Sequence, residues 1–310
     1  MPPSLSLIIT SFNLKRIKDV SELLDSIKTQ TNHDFETIIV IEGSTLFVDV
    51  KRLVHEKSLK NVRVLLNEGK RGLCEGRNIG IEHSSADILA FVDDDVVLTP
   101  EWAEELKHTF FDDSIIAVMG SAIPLFENPA DDWLPPELDW LLSCTRYFPD
   151  QLMEIRNVQG FNMAFRREAF EKCGPFPTES GYYRGPMPED LAFSMMVRKK
   201  TGKRMLYNPA VKILHRVHSY RLGWKFISRR AFWIGRTKRL LNRSYSDSMD
   251  EDLLYLEKNL LIQIVKAFPR SAKTRRKLNV MLITLFYAGM GYMFPNISPS
   301  RAPAGQSAEA

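Results

Sequence analysis

The 310-residue chain is poor in cysteine, and its cysteines form no pattern. Cys74, Cys144 and Cys173 are widely spaced and odd in number. No CxxC pair or Cys/His cluster points to zinc, and no even framework points to a disulfide-stapled secreted domain. A reduced, cytoplasmic setting is the expectation. The opening MPPSLSLIITSFN lacks a basic segment, and its apolar run is too short for a signal peptide. The apolar run at 280–294 has about 15 residues, short of the roughly 20 that a spanning helix needs. No internal repeat is visible. Acid is absent from one long stretch: between Leu191 and Ser246 there is no Asp or Glu, against about 15 Lys and Arg. The whole chain is only +4, so the remainder is acidic by about 11. Such a block suits an anionic partner (phosphates, nucleic acid or a lipid surface) or a solvated basic face.

What is present reads as a globular α/β protein. Hydrophobic residues make up 44% and charged residues 26%, enough for a sizeable core. LSLIIT (5–10), ETIIVIE (36–42), VRVLLN (62–67) and DILAFVD (87–93) are short β-prone runs. They are continuously apolar rather than alternating, as in a parallel sheet buried on both faces. Between them, DVSELLDSIKTQ, VDVKRLVHEKS and GLCEGRNIGIEHS carry helical spacing. Strand–helix alternation predicts a mainly parallel sheet flanked by helices. Further on, residues 114–129 read as one or two strands, and the Pro- and Trp-rich 130–150 as a long surface loop with a helical turn. Residues 157–174 read as a strand and a helix stopped by Gly174, 188–202 as a helix, and 204–217 as a pair of short strands. A basic, aromatic, amphipathic helix follows from Arg221, then two apolar runs, LLIQIVKAF and 280–294. The second is expected to be an interfacial, re-entrant, core or partner-packing helix. The last residues have a disorder-prone composition.

Asp93, Asp94 and Asp95 stand where the fourth apolar run ends. Burying unpaired carboxylates is expensive, so three in a row call for a reason. Ligands of open α/β sheets bind at the carboxyl ends of strands. Clustered carboxylates there suit Mg2+ or Mn2+ together with substrate phosphates. The alternative is an acidic cap on the following helix. Polar residues also end the other three runs, at TSFN (10–13), IEGS (41–44) and NEGKRGLCEGRNIGI (67–81), which together describe a nucleotide pocket.

In order and spacing, the Arg-Asn-Ile-Gly segment, the triple Asp, GFNMAFRREAF and PEDLAFSMMVRKKTG resemble the family 2 glycosyltransferases over residues 4 to 220. The resemblance implies a GT-A fold, a Rossmann-like, mixed and mainly parallel sheet. It implies donor-binding roles for Thr10, Ser11, Asn13, Glu42, Arg77, Asp93 and Asp94. Glu42 matches the position that contacts the base, where the family usually has two aspartates. It implies Asp95 as direct metal ligand, with Asp93 in the metal shell, and His215 as a further ligand, His218 competing. Glu189 and Asp190 match the family's Glu-Asp element, with Asp190 as catalytic base; the plainer reading is an acidic first helical turn after Pro188. Gly160 permits close approach, and Asn162 is expected at the donor sugar. Arg216 and Arg221 are placed on the diphosphate, because guanidinium pairs bidentately with phosphate oxygens. Trp133 and Trp140 either stack on an acceptor sugar or cover the core.

The expected organisation is a glycosyltransferase domain at 1–220, with a nucleotide-binding half (1–115) and an acceptor half (116–220). A helical membrane-associating extension (221–296) and a disordered tail (297–310) follow. The expected activity is metal-dependent, inverting transfer from a nucleoside diphosphate sugar, UDP-linked, to a glycan or lipid-linked acceptor such as a polyprenyl or dolichyl phosphate. The basic helix and apolar run suit an anionic membrane surface, so peripheral attachment to the cytoplasmic face is expected. No nucleic-acid motif accompanies the basic block. Two other classes compete: a silent nucleotide-sugar-binding assembly subunit, and a sugar-phosphate nucleotidyltransferase. The latter usually has a Gly-rich loop straight after strand one, where this chain has TSFNLKRIKD.

Overall fold

The computed structural model describes residues 3–69, 72–178, 188–244 and 272–295. LLIQIVKAF, the tail at 297–310, and Lys70 and Arg71 of the Gly-rich stretch lie outside the described residues. By their contacts, the described residues form two compact units. The first holds 3–123, 149–178 and 188–216; the second holds 124–148, 217–244 and 272–295.

The first unit alternates strand and helix as the apolar spacing predicts. Its elements are β1 (Leu5–Ser11), α1 (Ile17–Lys28), β2 (Glu36–Ile41), α2 (Ser44–Glu56), β3 (Val62–Leu66), α3 (Leu73–His83) and β4 (Ile88–Val92). After β4 come β5 (Val96–Leu98), α4 (Trp102–Thr109), β6 (Ile115–Phe126), β7 (Met153–Ile155), β8 (Asn162–Arg166), α5 (Arg167–Cys173), α6 (Glu189–Thr201) and β9 (Arg204–Val217). The sheet order is β3-β2-β1-β4-β8-β6-β9-β5, with β7 on β9. The first four strands are parallel, and β8 then runs antiparallel to both β4 and β6. The sheet is therefore mixed, and the carboxyl ends of β1, β2, β3 and β4 share one edge. Leu7, Ile9, Ile38, Ile39 and Phe91 are buried at its centre. Beneath β4 and β8, Phe170 stacks on Phe193 at 4.7 Å and Phe165 meets Phe193 edge-on at 5.1 Å. Those rings anchor α5 and α6 through apolar area and ring geometry.

Three expectations need correction. Residues 204–217 form one 14-residue strand rather than two short ones. Pro209 lies within it, and its carbonyl accepts from Ser121 Oγ at 2.8 Å, so the proline does not end the strand. The short β5 after the triple Asp was not anticipated; it pairs antiparallel with β9. The Pro- and Trp-rich stretch has the expected helical turn, but it is buried in a core and not a surface loop. A 3-10 helix at Pro136–Leu142 buries Leu138, Leu141 and Leu142, joined by Leu134 and Cys144. Pro135 and Pro136 stand at its start, where a missing N–H costs no helical bond.

These leucines are the core of the second unit. They pack with Val217, Ile227, Ala231, Val280 and Met281, the last four from α7 (Trp224–Ser244) and α8 (Ala272–Met293). The 280–294 run is thus mostly part of a longer helix with a core side. Its other side exposes Leu282, Phe286 and Met293. Among the described residues no helix is long and apolar enough to cross a membrane. The two helices meet backbone to backbone: a Cβ on Gly235 would fall on the Ala288 carbonyl, and one on Gly291 on the Phe232 carbonyl. Backbone cannot step aside as a flexible side chain can. Gly291→Ala is therefore expected to destabilise the second unit by about 1–3 kcal/mol. A Cβ on Gly289 would meet nothing within 4 Å, so Gly289→Ala should stabilise by a few tenths to about 1 kcal/mol through helix propensity. Urea midpoints followed by helical circular dichroism measure both. Equal shifts in the two variants would show that the crossing is not tight.

Candidate active site

The acidic turn is placed by two ladders. β4 delivers Asp93 at the carboxyl edge, and β5 starts immediately after Asp95. Val96 pairs with His215 on β9, and the Arg216 N–H donates to the Asp95 carbonyl at 2.9 Å. The antiparallel register thus carries a histidine from more than 100 residues away to the aspartates. His215 Nε2 lies 3.3 Å from Asp95 Oδ1 and 3.8 Å from Asp93 Oδ2. One ligand atom from each of Asp93, Asp95 and His215 falls within 4.8 Å of the others. Ligands around one Mg2+ or Mn2+ stand roughly 3–4 Å apart, so the three fit a single ion after small adjustments. Two carboxylates and an imidazole are suitable donors for it. The Asp95 and His215 side chains are buried, whereas that of Asp93 is 34% exposed, which opens the cluster toward solvent.

Asp94 faces away from that cluster. Its Oδ2 accepts from Ser11 Oγ at 2.5 Å, and its Oδ1 pairs with Arg16 at 2.6 Å. Arg16 also reaches Asp95 Oδ2 at 2.9 Å. Burial raises the Asp94 carboxyl to about 6 against the pull of Arg16, and Asp95 adds to the rise. Asp94 and Ser11 therefore tie the turn to β1.

A second carboxylate pair stands at the start of α6. Arg77, on α3, is almost wholly buried and donates to Glu189 Oε1 at 2.9 Å and to the Gly160 carbonyl at 3.1 Å. The same guanidinium lies 3.9 Å from Asp93 Oδ1. Gly160 turns its N–H to Asp190 Oδ2 at 2.8 Å, and the Leu191 N–H holds Asp190 Oδ1 at 2.7 Å. A Cβ at 160 would meet Arg77 Nη2 at 2.8 Å, so a side chain there would displace the guanidinium. Burial raises the Asp190 carboxyl to about 6, and Glu189 beside it adds to the rise; the Gly160 N–H and Arg77 oppose it. A half-buried carboxyl that ionises near neutrality is suited to accept a proton.

Several predicted residues are placed elsewhere or differently. Asn162 is buried, with its amide donating to Ser121 and Val211 carbonyls and accepting from Trp102 Nε1 at 3.0 Å. It stitches β8 to its neighbours, and the structure gives no support to a donor-sugar contact. The Arg216 guanidinium, expected at the diphosphate, pairs with Asp19 at 2.9 Å and with Glu22, both on α1. Arg221 and His218 belong to the second unit; Arg221 contacts Tyr220, and His218 Nδ1 pairs with Glu127 at 2.8 Å. Trp133 and Trp140 pack against the second unit's core, and Arg276 lies over the Trp133 ring at 4.0 Å. Thr10 is half-buried at the end of β1, and Asn13 caps a 3-10 turn by accepting from the Lys15 N–H. Glu42 Oε1 accepts from the Gly72 N–H at 2.6 Å and so holds the entry to α3.

Sequence reasoning assigned no role to Arg16, or to Asn78 within the Arg-Asn-Ile-Gly segment. Arg16 lies in the basic LKR turn straight after β1, a signal that was legible but had no partner in sequence. Asn78 exchanges two hydrogen bonds with the Phe176 backbone, at 3.0 and 2.9 Å, and fixes the loop after α5.

Comparison with known proteins agrees with this geometry. A glucosyl-dolichyl phosphate glucuronosyltransferase of Haloferax volcanii is 26% identical over 306 residues, which is 95% of this chain and 97% of the relative. A mannosyltransferase of Pyrobaculum calidifontis, solved with GDP-Man and Mn2+, superposes with a TM-score of 0.64 at 16% identity, covering 96% of this chain and 89% of that one. GalNAc-T7 with UDP, GalNAc and Mn2+ superposes with a TM-score of 0.55 at 15% identity, over 83% of this chain and 55% of that one. These likenesses establish the GT-A fold. The profile of glycosyl transferase family 2 matches residues 6–174, more than half the chain, and the protein therefore belongs to that family of transferases.

Proposed function

We propose that the protein moves one sugar, with inversion, from a nucleoside diphosphate sugar to a hydroxyl of a glycan carried on a polyprenyl or dolichyl phosphate. The observation that carries the reading is the linkage of two carboxylate centres through one guanidinium. Asp93 and Asp95 stand with His215 on one side of Arg77, and Glu189 and Asp190 on the other. The full-length likeness to an enzyme named for a dolichyl-phosphate acceptor supports the lipid-linked class. Uridine diphosphate is the nucleotide to test first.

In this reading Asp95, Asp93 and His215 hold Mg2+ or Mn2+. When bound, such an ion neutralises charge developing on the departing diphosphate. Asp190 accepts the proton of the acceptor hydroxyl as that oxygen bonds to the anomeric carbon. The anomeric carbon–diphosphate bond breaks, and its electron pair leaves with the nucleoside diphosphate. One base on the face opposite the leaving group gives a single displacement and hence inversion. Glu189 keeps Arg77 in place, and Arg77 keeps Gly160 and Asp190 in place. The second unit supplies the membrane contact, at the cytoplasmic face. Leu282, Phe286 and Met293 form an exposed apolar face, and Lys225 and Arg276 are exposed cations of the same unit. Apolar side chains beside cations are the combination that settles on anionic lipid.

Asp190→Asn should lower kcat by about 10²- to 10⁴-fold with donor binding retained. Full transfer by this variant would remove Asp190 as base. In the wild type the ionised form is the active one. kcat/KM should therefore fall about tenfold per unit as pH drops below the Asp190 value of about 6. A profile flat to pH 5 would contradict that. Asp95→Ala should abolish the Mn2+-dependent thermal shift by UDP, whereas donor binding without turnover on any lipid extract would favour the assembly-subunit class.

Vesicle binding tests the membrane contact separately. Leu282→Asp with Phe286→Asp should reduce co-sedimentation with phosphatidylglycerol vesicles by about tenfold or more, given the area that two such side chains bury. Unchanged sedimentation would assign this face to a protein contact.

A further inference from the structure

We propose that Arg16 is a built-in counter-cation for the acidic turn, and that it makes divalent-metal binding contingent on the donor diphosphate. The inference rests on the metal-dependent reading above and concerns how that site is controlled.

Asp94 and Asp95 are adjacent and both buried, 4% and 2% exposed. Two neighbouring buried carboxylates without a positive partner would be strongly unfavourable. One guanidinium nitrogen reaches both: Arg16 Nη1 stands 2.6 Å from Asp94 Oδ1 and 2.9 Å from Asp95 Oδ2. Arg16 comes from a three-residue 3-10 turn, Leu14–Arg16, none of whose residues is buried. Its guanidinium reaches inward from the surface to the acids.

The two oxygens of Asp95 consequently face different partners. Oδ2 carries Arg16, while Oδ1 faces His215 Nε2 at 3.3 Å, in the cluster that fits an ion. A divalent ion there would share one carboxyl group with a guanidinium. Like charges across one carboxylate repel, and low surrounding polarity strengthens the repulsion. The free turn therefore holds its geometry without metal but attracts metal weakly. A diphosphate arriving at the exposed Asp93 side brings the negative charge that offsets this repulsion. Metal and donor then bind with positive coupling, which thermodynamics requires to be reciprocal.

Mn2+ binding to the full chain, measured by calorimetry and by electron paramagnetic resonance, tests this without any turnover. With wild type, UDP should tighten Mn2+ binding by about tenfold, within the usual range of such couplings. Arg16→Gln should bind Mn2+ alone about fivefold or more tightly than wild type, and its coupling to UDP should shrink correspondingly. Arg16→Lys, which keeps the charge, should follow wild type. If Arg16→Gln binds Mn2+ alone no tighter than wild type, the counter-cation role is overturned while the transferase reading stands. If wild type binds no Mn2+ with or without UDP, both fall. Should Arg16→Gln be recovered unfolded, addition of Mn2+ during expression and purification separates the cases. Folding restored by the metal supports a turn that needs one cation or another, and failure to restore it overturns the proposal.

Discussion

The buried guanidinium of Arg77 is the constraint on which the site depends. It sits on α3, yet its partners come from the loop before β8, the start of α6 and the end of β4. A cation this deeply buried is tolerable only when its donors are occupied by acceptors of opposite or partial negative charge. Glu189 and the Gly160 carbonyl meet that demand, and in doing so they fix where Asp190 lies. Breaking a buried pair of this kind costs about 3–5 kcal/mol. The same interaction therefore serves both folding and the positioning of Asp190.

A second principle is the division of the acidic turn. Each carboxylate has a distinct environment, although the three are consecutive. Asp93 is open, Asp95 lies between His215 and Arg16, and Asp94 is turned onto Ser11 and Arg16. The three lie in the turn between β4 and β5, which carries Asp94 toward β1 and Asp95 toward β9. Two carboxylates thus stand beside His215, and the third holds the turn against β1. Burial raises Asp94 and Asp190 alike to about 6.

The second unit follows a different logic. Its core is built from a 3-10 helix that prolines start and leucines fill, against two helices that approach through Gly235 and Gly291. Small residues at the crossing bring the backbones together and leave the larger apolar side chains to the far side of α8. The exposed Leu282, Phe286 and Met293 result from that arrangement.

Much of this was legible in the residues themselves. Continuous apolar runs with helical spacing between them determined the parallel half of the sheet, because burial on both faces leaves no alternation to read. The Asp93–Asp95 turn, Arg77 and the Glu189–Asp190 pair could be singled out from their place at strand and helix ends. Tertiary structure alone decided how they are used. Arg216 resembled a phosphate ligand until α1 supplied Asp19 and Glu22. Asn162 resembled a substrate contact until Trp102 and two carbonyls took its amide. Arg16 had no visible purpose until the turn after β1 closed over Asp94 and Asp95. The physical reason is common to all three: a charged or amide side chain takes its role from the partner that folding brings within about 3 Å, and that partner is distant in sequence.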